Sequence, residues 1–194
     1  MANKVKYGLK NVYYAKATID ADNKATYTTP VAIKGAVNLS LDAQGDTTKF
    51  RADNMNYWIG QSNNGYEGDF ESALVPDSFK TDCLGYIEDG NGVLVEDANA
   101  TFAEFALMFQ FESDDKATRH VLYRVSASRP SVSGQTTEET ITPQTETLTF
   151  TATAVHNATL DTDIVKASCS ETQSTQYAAW TTTVYTPTAP SVTT

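Results

Sequence analysis

Residues 31–70, VAIKGAVNLSLDAQGDTTKFRADNMNYWIGQSNNGYEGDF, decide the fold because periodic apolar patterns and turn signals alternate within one stretch. At its start the apolar side chains fall on odd positions, which predicts a β-strand with one buried face. These residues are Val31, Ile33, Val37, Leu39 and Leu41. After Gly45-Asp46 the alternation resumes, and a change of phase at Asp53-Asn54 indicates a β-bulge. Ser62-Asn63-Asn64-Gly65 is typical of a hairpin turn, because Asn-Gly accepts positive φ angles. The stretch therefore predicts three strands separated by two turns.

The same period of two recurs along the chain and predicts a mainly β protein. Further strands are expected over residues 11–19, 66–74, 105–111, 121–125, 147–154, 164–167 and 177–185. The run 105–111 also fits a helical stripe, but the turn Ser113–Lys116 favours a hairpin between it and 121–125. A second hairpin turn is expected at Glu88–Gly92. One short α-helix is expected near residues 77–84, with Asp77 as its cap and Gly85 as its stop.

The domain organisation is predicted to be simple, because 194 residues suit one domain with a real core. Residues 1–10 are short, basic and interrupted by Gly8, and are expected to form an N-terminal arm. Residues 11–186 are expected to form the single β domain. Residues 187–194 are expected to form a flexible C-terminal tail.

Net charge and cysteine content indicate which partners the protein can bind and in which cellular compartment it is made. The chain has 24 acidic and 14 basic residues and a formal net charge of −10, which argues against a protein that grips nucleic-acid phosphates. It is compatible with a protein that lets nucleic acid pass without holding it. No apolar run has the length of a membrane span and no secretory signal is recognisable, so synthesis in the cytoplasm is expected. Cys83 and Cys169 are expected to be buried free thiols, with a disulfide between them as the alternative.

The sequence gives little support for an enzyme. His120 and His156 are the two histidines, and both are more simply explained as structural residues. The common motifs for serine nucleophiles, phosphate loops and zinc are absent. Asp20–Asp22 and Asp89–Asn91 faintly resemble calcium loops, but both fall where turns are needed. No cofactor and no metal site is expected.

Several segments together resemble the major tail tube proteins of long-tailed, non-contractile bacteriophages. The segments are Tyr7–Ala15, Pro30–Leu41, Ala52–Asn54, Asn64–Asp69 and Pro76–Asp77 leading to Leu84-Gly85. The resemblance implies a β-sandwich or barrel-like subunit with one short helix. It implies that six subunits close into a ring and that rings stack into a hollow tube through which genome DNA leaves the capsid. The implied partners are further copies of the chain and other tail proteins: the tape measure, the tail terminator and the distal tail protein. The implied location is the virion, after assembly in the host cytoplasm, with only transient, non-specific passage of DNA and no membrane contact.

The resemblance leads to residue-level expectations. The hairpins 31–59 and 102–126 are expected to form the inner sheet, with Asn38, Ser40, Asp42, Gln110 and Glu112 facing the lumen. By parity Arg124 shares the face of Glu112, which weakens this assignment unless the two residues pair. Tyr13, Tyr14, Tyr57 and Trp58 cannot all face one core by alternation, so they are candidates for contacts between subunits. A core position is the alternative for each of them. Contacts between rings are expected from the arm 1–10, the turn 42–48 and the loop 130–143, each of which could instead be a plain surface segment.

Three other functions compete with the tail tube. A carbohydrate-binding β-sandwich would use exposed Trp58, Trp180 and tyrosine residues as stacking platforms. A capsid decoration protein or a tail terminator would form a single ring that does not stack. A hydrolase is the weakest alternative, for want of a nucleophile and a base.

Overall fold

The fold was analysed in a computed structural model that describes residues 3–113, 115–136 and 142–190. Over these residues the chain is mainly β with two short helices, and the prediction of a mainly β fold is confirmed. In chain order the elements are β1 (Lys6–Ile19), β2 (Ala25–Tyr27), β3 (Val31–Ile33), β4 (Ala36–Leu39), β5 (Asp42–Gln44), β6 (Thr47–Ala52), β7 (Met55–Gln61), β8 (Gly65–Ser72), α1 (Asp77–Cys83), β9 (Tyr86–Glu88), β10 (Leu94–Glu96), β11 (Phe105–Ser113), β12 (Thr118–Ala127), β13 (Glu146–Thr153), β14 (Val155–Asn157), β15 (Thr162–Ile164), β16 (Lys166–Ser170) and α2 (Ser174–Ala179).

The main sheet closes on itself through the first residues of the opening stretch. Strands β1, β11, β12, β13 and β8 follow one another in antiparallel order. Strands β3 and β4 are joined by Lys34-Gly35 alone, yet β3 pairs with β1 and β4 pairs with β8. Because β1 and β8 are the two ends of that order, the link from β3 to β4 completes a barrel.

The interior of the barrel holds the first apolar core, and α1 covers one end of it. Phe79 of α1 is fully buried, and its ring meets Tyr14 and Phe105 edge-on, with ring centroids 5.0 Å apart in each pair. The helix begins at Asp77 directly after Pro76, as predicted to within a residue at each end. No side-chain hydrogen bond caps it, so the predicted capping role of Asp77 is wrong.

A second apolar core lies on the outer side of β1, β11 and β12, beneath residues 155–185. Its centre is Trp180, which stacks on Tyr185 with ring centroids 5.2 Å apart. The strand predicted over 177–185 is wrong, because residues 174–179 form α2. Tyr177 and Trp180 are three residues apart, so one turn of helix turns both towards the same core.

Strand β11 lies between the two cores, and this explains its sequence. Phe105, Leu107 and Phe109 point into the barrel, whereas Ala106 and Met108 point to the second core. Both faces of the strand are therefore buried, and the predicted hairpin of β11 with β12 is confirmed. Both cysteines are buried free thiols as predicted, Cys83 in the barrel core and Cys169 in the second. Burial raises the pKa of the Cys83 thiol to about 12.

Three local predictions in the first seventy residues need correction. Asp53 and Asn54 have φ angles of 51° and 59° and join β6 to β7 as a two-residue turn, whereas the bulge lies between Phe50 and Arg51. Ser62–Gly65 is not a hairpin turn, because β7 pairs with β6 while β8 pairs with β13, β4 and β5. Residues 42–48, expected as a turn, form β5 and the start of β6.

The predicted N-terminal arm is largely part of the sheet, whereas the predicted loop and C-terminal tail are only partly described by the structure. Strand β1 begins at Lys6 opposite Ser113, so residues 6–10 of the predicted arm belong to the sheet. Before it, Asn3 exchanges two hydrogen bonds with the backbone of Lys116, at 2.7 and 2.8 Å. Residues 131–136 and 187–190 have neither helix nor strand, and residues 137–141 and 191–194 lie outside the described residues.

Candidate assembly surfaces

One side of the barrel presents an acidic face, which we define as the outward side chains of β4, β5, β8 and β13. Strand β8 sends Gly68, Phe70 and Ser72 inward, and its alternate residues are acidic and point out. The pairing registers align these acidic residues with threonines of β13 and with polar residues of β4 and β5. The members of the face are Asn38, Ser40, Asp42, Glu67, Asp69, Glu71, Thr147, Thr149 and Thr151. Every one of them is acidic or uncharged and polar.

Short hydrogen bonds hold the acidic face in order. The Thr149 hydroxyl donates to the Asp69 carboxylate at 2.7 Å, and the Thr145 hydroxyl donates to Glu71 at 2.6 Å. Ser40 joins the same ladder, since its backbone N–H donates to the Asp69 carbonyl and its hydroxyl accepts the Asp69 N–H. These bonds fix the carboxylates along the strands, so the face carries a constant array of negative charge.

The predicted lumen-facing residues divide between this face and the opposite side of the subunit. Asn38, Ser40 and Asp42 lie on the acidic face. Gln110 is only 4% exposed and accepts hydrogen bonds from Asn11 and Arg119, so its assignment to a channel wall is wrong. The reason is that the even-numbered side of β11 is covered by residues 155–185.

Glu112 lies on that same side of β11, at its end, and forms an ion pair with Lys10. Arg124, which would weaken the lumen assignment unless it paired with Glu112, does not pair with it. Arg124 donates to Glu104 at 2.8 Å and to Asn23 at 2.7 Å. A register shift between Phe105 and Leu107 changes the parity of the β11–β12 pair, which alternation in the sequence could not show.

Glu67, Asp69 and Glu71 are the acidic members of this face that the sequence predictions missed. Their signal was present, because the strand expected over residues 66–74 alternates them with Tyr66, Gly68 and Phe70. The intervening residues must then point outward.

The second surface is a hairpin that continues the barrel strands into solvent. Gln44 pairs with Gly65, the Asn64 N–H donates to the Gln44 carbonyl, and the Ser62 N–H donates to the Asp46 carbonyl. A β-carbon on Gly45 would lie 2.2 Å from the Ser62 carbonyl oxygen, so only glycine permits this close approach. The ladder then continues as β6 and β7, which pair with each other and with no other strand of the described residues. We call residues 47–61 the projecting hairpin.

The two faces of the projecting hairpin differ in chemistry. Phe50 lies opposite Trp58, and Ala52 opposite Met55, which makes one face aromatic and apolar. Lys49 lies opposite Ile59, and Arg51 opposite Asn56, which makes the other face basic around one apolar residue. The large apolar side chains of the hairpin are between 53% and 70% exposed: Phe50, Met55, Tyr57, Trp58 and Ile59. A contiguous exposed apolar surface of this kind marks a site of protein contact. An isolated two-stranded ribbon is only marginally stable until something packs on it.

The four aromatic residues predicted for contacts between subunits have different environments. Tyr57 and Trp58 are exposed on the projecting hairpin. Tyr13 is half-buried against the second core. Tyr14 is 1% exposed inside the barrel, where it donates to Asp82 at 2.9 Å and burial raises its pKa. Its assignment to an interface is wrong, because alternation along β1 turns it away from Tyr13 and into the barrel.

Groups considered for other activities have structural roles. His120 stacks on Phe109 with ring centroids 5.2 Å apart, and desolvation lowers its pKa to about 4. Asp20 and Asp89 accept backbone N–H groups of their own turns. Trp180 is 3% exposed, so of the two tryptophans proposed as stacking platforms for a carbohydrate module Trp58 alone is accessible.

The described residues contain no cluster of three or more His, Cys, Asp or Glu side chains that could hold a metal ion. None of their helices has the length and apolar character needed to cross a membrane.

The fold and these surfaces define a mainly β protein whose accessible features suit contacts with other macromolecules. Residues 2–189 match the family model described as phage tail tube protein, and the chain therefore belongs to that family. Members of this family are structural components of the virion, and membership implies self-assembly and association with other tail proteins. A comparison with curated proteins gives no match.

Proposed function

We propose that six copies of this chain close into a ring and that rings stack into a hollow tube through which the phage genome passes. The number six follows the resemblance to the tail tubes of non-contractile phages. The observation that carries the proposal is the acidic face, an uncovered sheet surface on a barrel whose other broad side is buried under residues 155–185.

In this proposal the acidic face lines the lumen. Its carboxylates repel the phosphates of DNA, so the genome slides past the wall without binding to it. At physiological salt this repulsion acts over about 8 Å, which confines it to DNA close to the wall. Thr147, Thr149 and Thr151 supply an uncharged hydroxyl surface beside the carboxylates.

The aromatic face of the projecting hairpin supplies the contacts between copies. Fully burying one large apolar side chain contributes about 1.5–3 kcal/mol, so covering the exposed parts of Phe50, Met55 and Trp58 together favours association. Residues 3–5 and the loop 130–143 remain candidates for contacts between successive rings. At the ends of the tube the same surfaces would meet the tape measure, terminator and distal tail proteins. Assembly would precede incorporation into the virion and would take place in the host cytoplasm.

Negative-stain electron microscopy of the concentrated protein, together with its mass by light scattering, tests this function. Hollow tubes built from sixfold rings are expected. Single rings that never stack would favour a tail terminator or a capsid decoration protein. A protein that stays monomeric at every concentration would contradict the proposal.

A further inference from the structure

A second two-stranded sheet exposes an apolar face at another place on the subunit. In the β9–β10 hairpin, Ile87 lies opposite Val95, and Val93 shares their parity. These three side chains are between 48% and 56% exposed. The other face of this hairpin is fixed to the body, because Tyr86 packs on the barrel core and Glu96 pairs with Arg129. The exposed face is therefore a firmly supported apolar surface, which we call the β9–β10 face.

Acidic residues surround the β9–β10 face. Asp89 and Asp97 share the odd parity of its apolar residues and form an acidic rim, and neither pairs with a basic side chain of the described residues. Glu88 lies opposite Leu94 and belongs to the other face, with Tyr86 and Glu96. Backbone N–H groups of Val93 and Asn91 hold the pKa of Asp89 below its usual range, so this member of the rim stays charged.

The basic face of the projecting hairpin has the complementary pattern. It carries Ile59 opposite Lys49, with Arg51 two residues further along β6, and neither basic side chain has a carboxylate partner among the described residues. The chain as a whole is acidic, with a formal net charge of −10, so this face differs in sign from the protein's net charge. An apolar centre with a basic border thus matches an apolar centre with an acidic border.

The two surfaces lie at opposite ends of the subunit, so they cannot meet within one chain. The projecting hairpin leaves the barrel at Gly65, the first residue of β8. The β9–β10 face follows α1, beyond Ser72 at the other end of β8, and the eight residues of this strand span about 24 Å. A contact between them must join two copies head to tail, and such a contact repeats along an axis when its rotation does not close a ring.

We propose that the basic face of the projecting hairpin in one ring binds the β9–β10 face of a copy in the next ring. Ile59 packs on Ile87 and Val95, while Lys49 and Arg51 lie against the acidic rim. This inference rests on the proposed tube. It specifies which surface receives the hairpin and which residues give the stacking its direction.

Charge reversal and its rescue test the contact. In Lys49→Glu/Arg51→Glu the hairpin opposes an acidic rim, and the concentration needed for stacking is expected to rise about tenfold or more. Adding Asp89→Lys/Asp97→Lys restores opposite charges and should restore stacking. Asp89 and Asp97 each accept backbone N–H groups of their own turns, so the stability of this variant is measured as well. The matched control adds Asp22→Lys/Glu171→Lys, two exposed residues elsewhere, which give the same net charge without touching the contact.

The outcomes separate this inference from the proposed function. Stacking restored by Asp89→Lys/Asp97→Lys and not by the control supports the contact. Equal stacking of the wild type and Lys49→Glu/Arg51→Glu, or equal rescue by both pairs, overturns it and leaves the tube intact. A wild type that forms no rings or tubes contradicts both proposals. Thermal unfolding of the monomers verifies that the exposed substitutions leave the fold unchanged.

Discussion

His120 lies flat against Phe109 and meets Phe111 edge-on, so its imidazole is held in a largely apolar environment. Desolvation lowers its pKa from 6.5 to about 4, with smaller contributions from Lys166 and Lys6. Between pH 6.5 and 4, His120 is therefore mostly protonated in the unfolded chain and mostly neutral in the folded chain. The contribution of His120 to stability is complete above pH 6.5 and is lost as the pH falls towards 4. Between pH 7 and 5 the loss is expected to be about 1–2 kcal/mol, after allowance for partial exposure of the ring.

Urea unfolding at both pH values checks this prediction. His120→Phe keeps a ring against Phe109 but cannot titrate, so its free energy of unfolding should fall less between pH 7 and 5 than that of the wild type. Comparison with the wild type cancels the titration of carboxylates common to both. His156→Gln, which changes the other histidine, should keep the loss due to His120. An equal fall in wild type and His120→Phe would show that His120 is not the titrating group.

At the level of single elements, substitutions of the two tryptophans distinguish residues needed for assembly from residues needed for folding. Trp58 is exposed on β7, whereas Trp180 is buried after α2 and donates its indole N–H to the His120 carbonyl at 3.3 Å. Trp58→Ala should leave the free energy of unfolding within about 0.5 kcal/mol of wild type and abolish tube formation. Trp180→Ala should cost about 3–5 kcal/mol, because it leaves a cavity in the second core. Chemical unfolding and light scattering measure the two effects. A Trp58→Ala variant that assembles normally would exclude the aromatic face of the projecting hairpin from the interface.

Local sequence patterns predicted where strands and helices form better than they predicted which strands pair with each other. The alternation in β13 and β8, the turn before β10 and the helix at Phe79 were all evident in the sequence, because each depends on neighbouring residues. The pair Asp53-Asn54 was interpreted as a bulge, although two residues with positive φ also form a tight turn. Tyr177 and Trp180 were assigned to a strand, because three-residue spacing in so short a segment gives little helical signal.

At the scale of the whole molecule, barrel closure and the burial of some polar residues depend on pairing and packing between segments that are distant in the sequence. Nothing local shows that the few residues of β3 and β4 close a barrel, since this depends on β1 and β8 being at opposite ends of the sheet order. Likewise, Gln110 has the polarity and parity of a surface residue. It is buried because a segment more than forty residues later in the chain covers it. The acidic face could be predicted strand by strand, but its continuity across β13, β8 and β5 required the registers.

The charge of the acidic face gives a test of the conduit itself. Glu67→Lys/Asp69→Lys would turn part of a repelling wall into one that binds phosphates, and tubes of this variant are expected to retain short double-stranded DNA. DNA inside a tube is protected from nuclease, whereas DNA on the outside is not. The variant tubes should therefore hold nuclease-resistant DNA at low salt and release it at about 0.5 M salt, where screening is strong. Wild-type tubes should hold none. Asp22→Lys/Glu171→Lys changes the net charge equally, so any DNA that it binds should remain sensitive to nuclease. Equal amounts of protected DNA in the two variants would mean that Glu67 and Asp69 do not face the lumen.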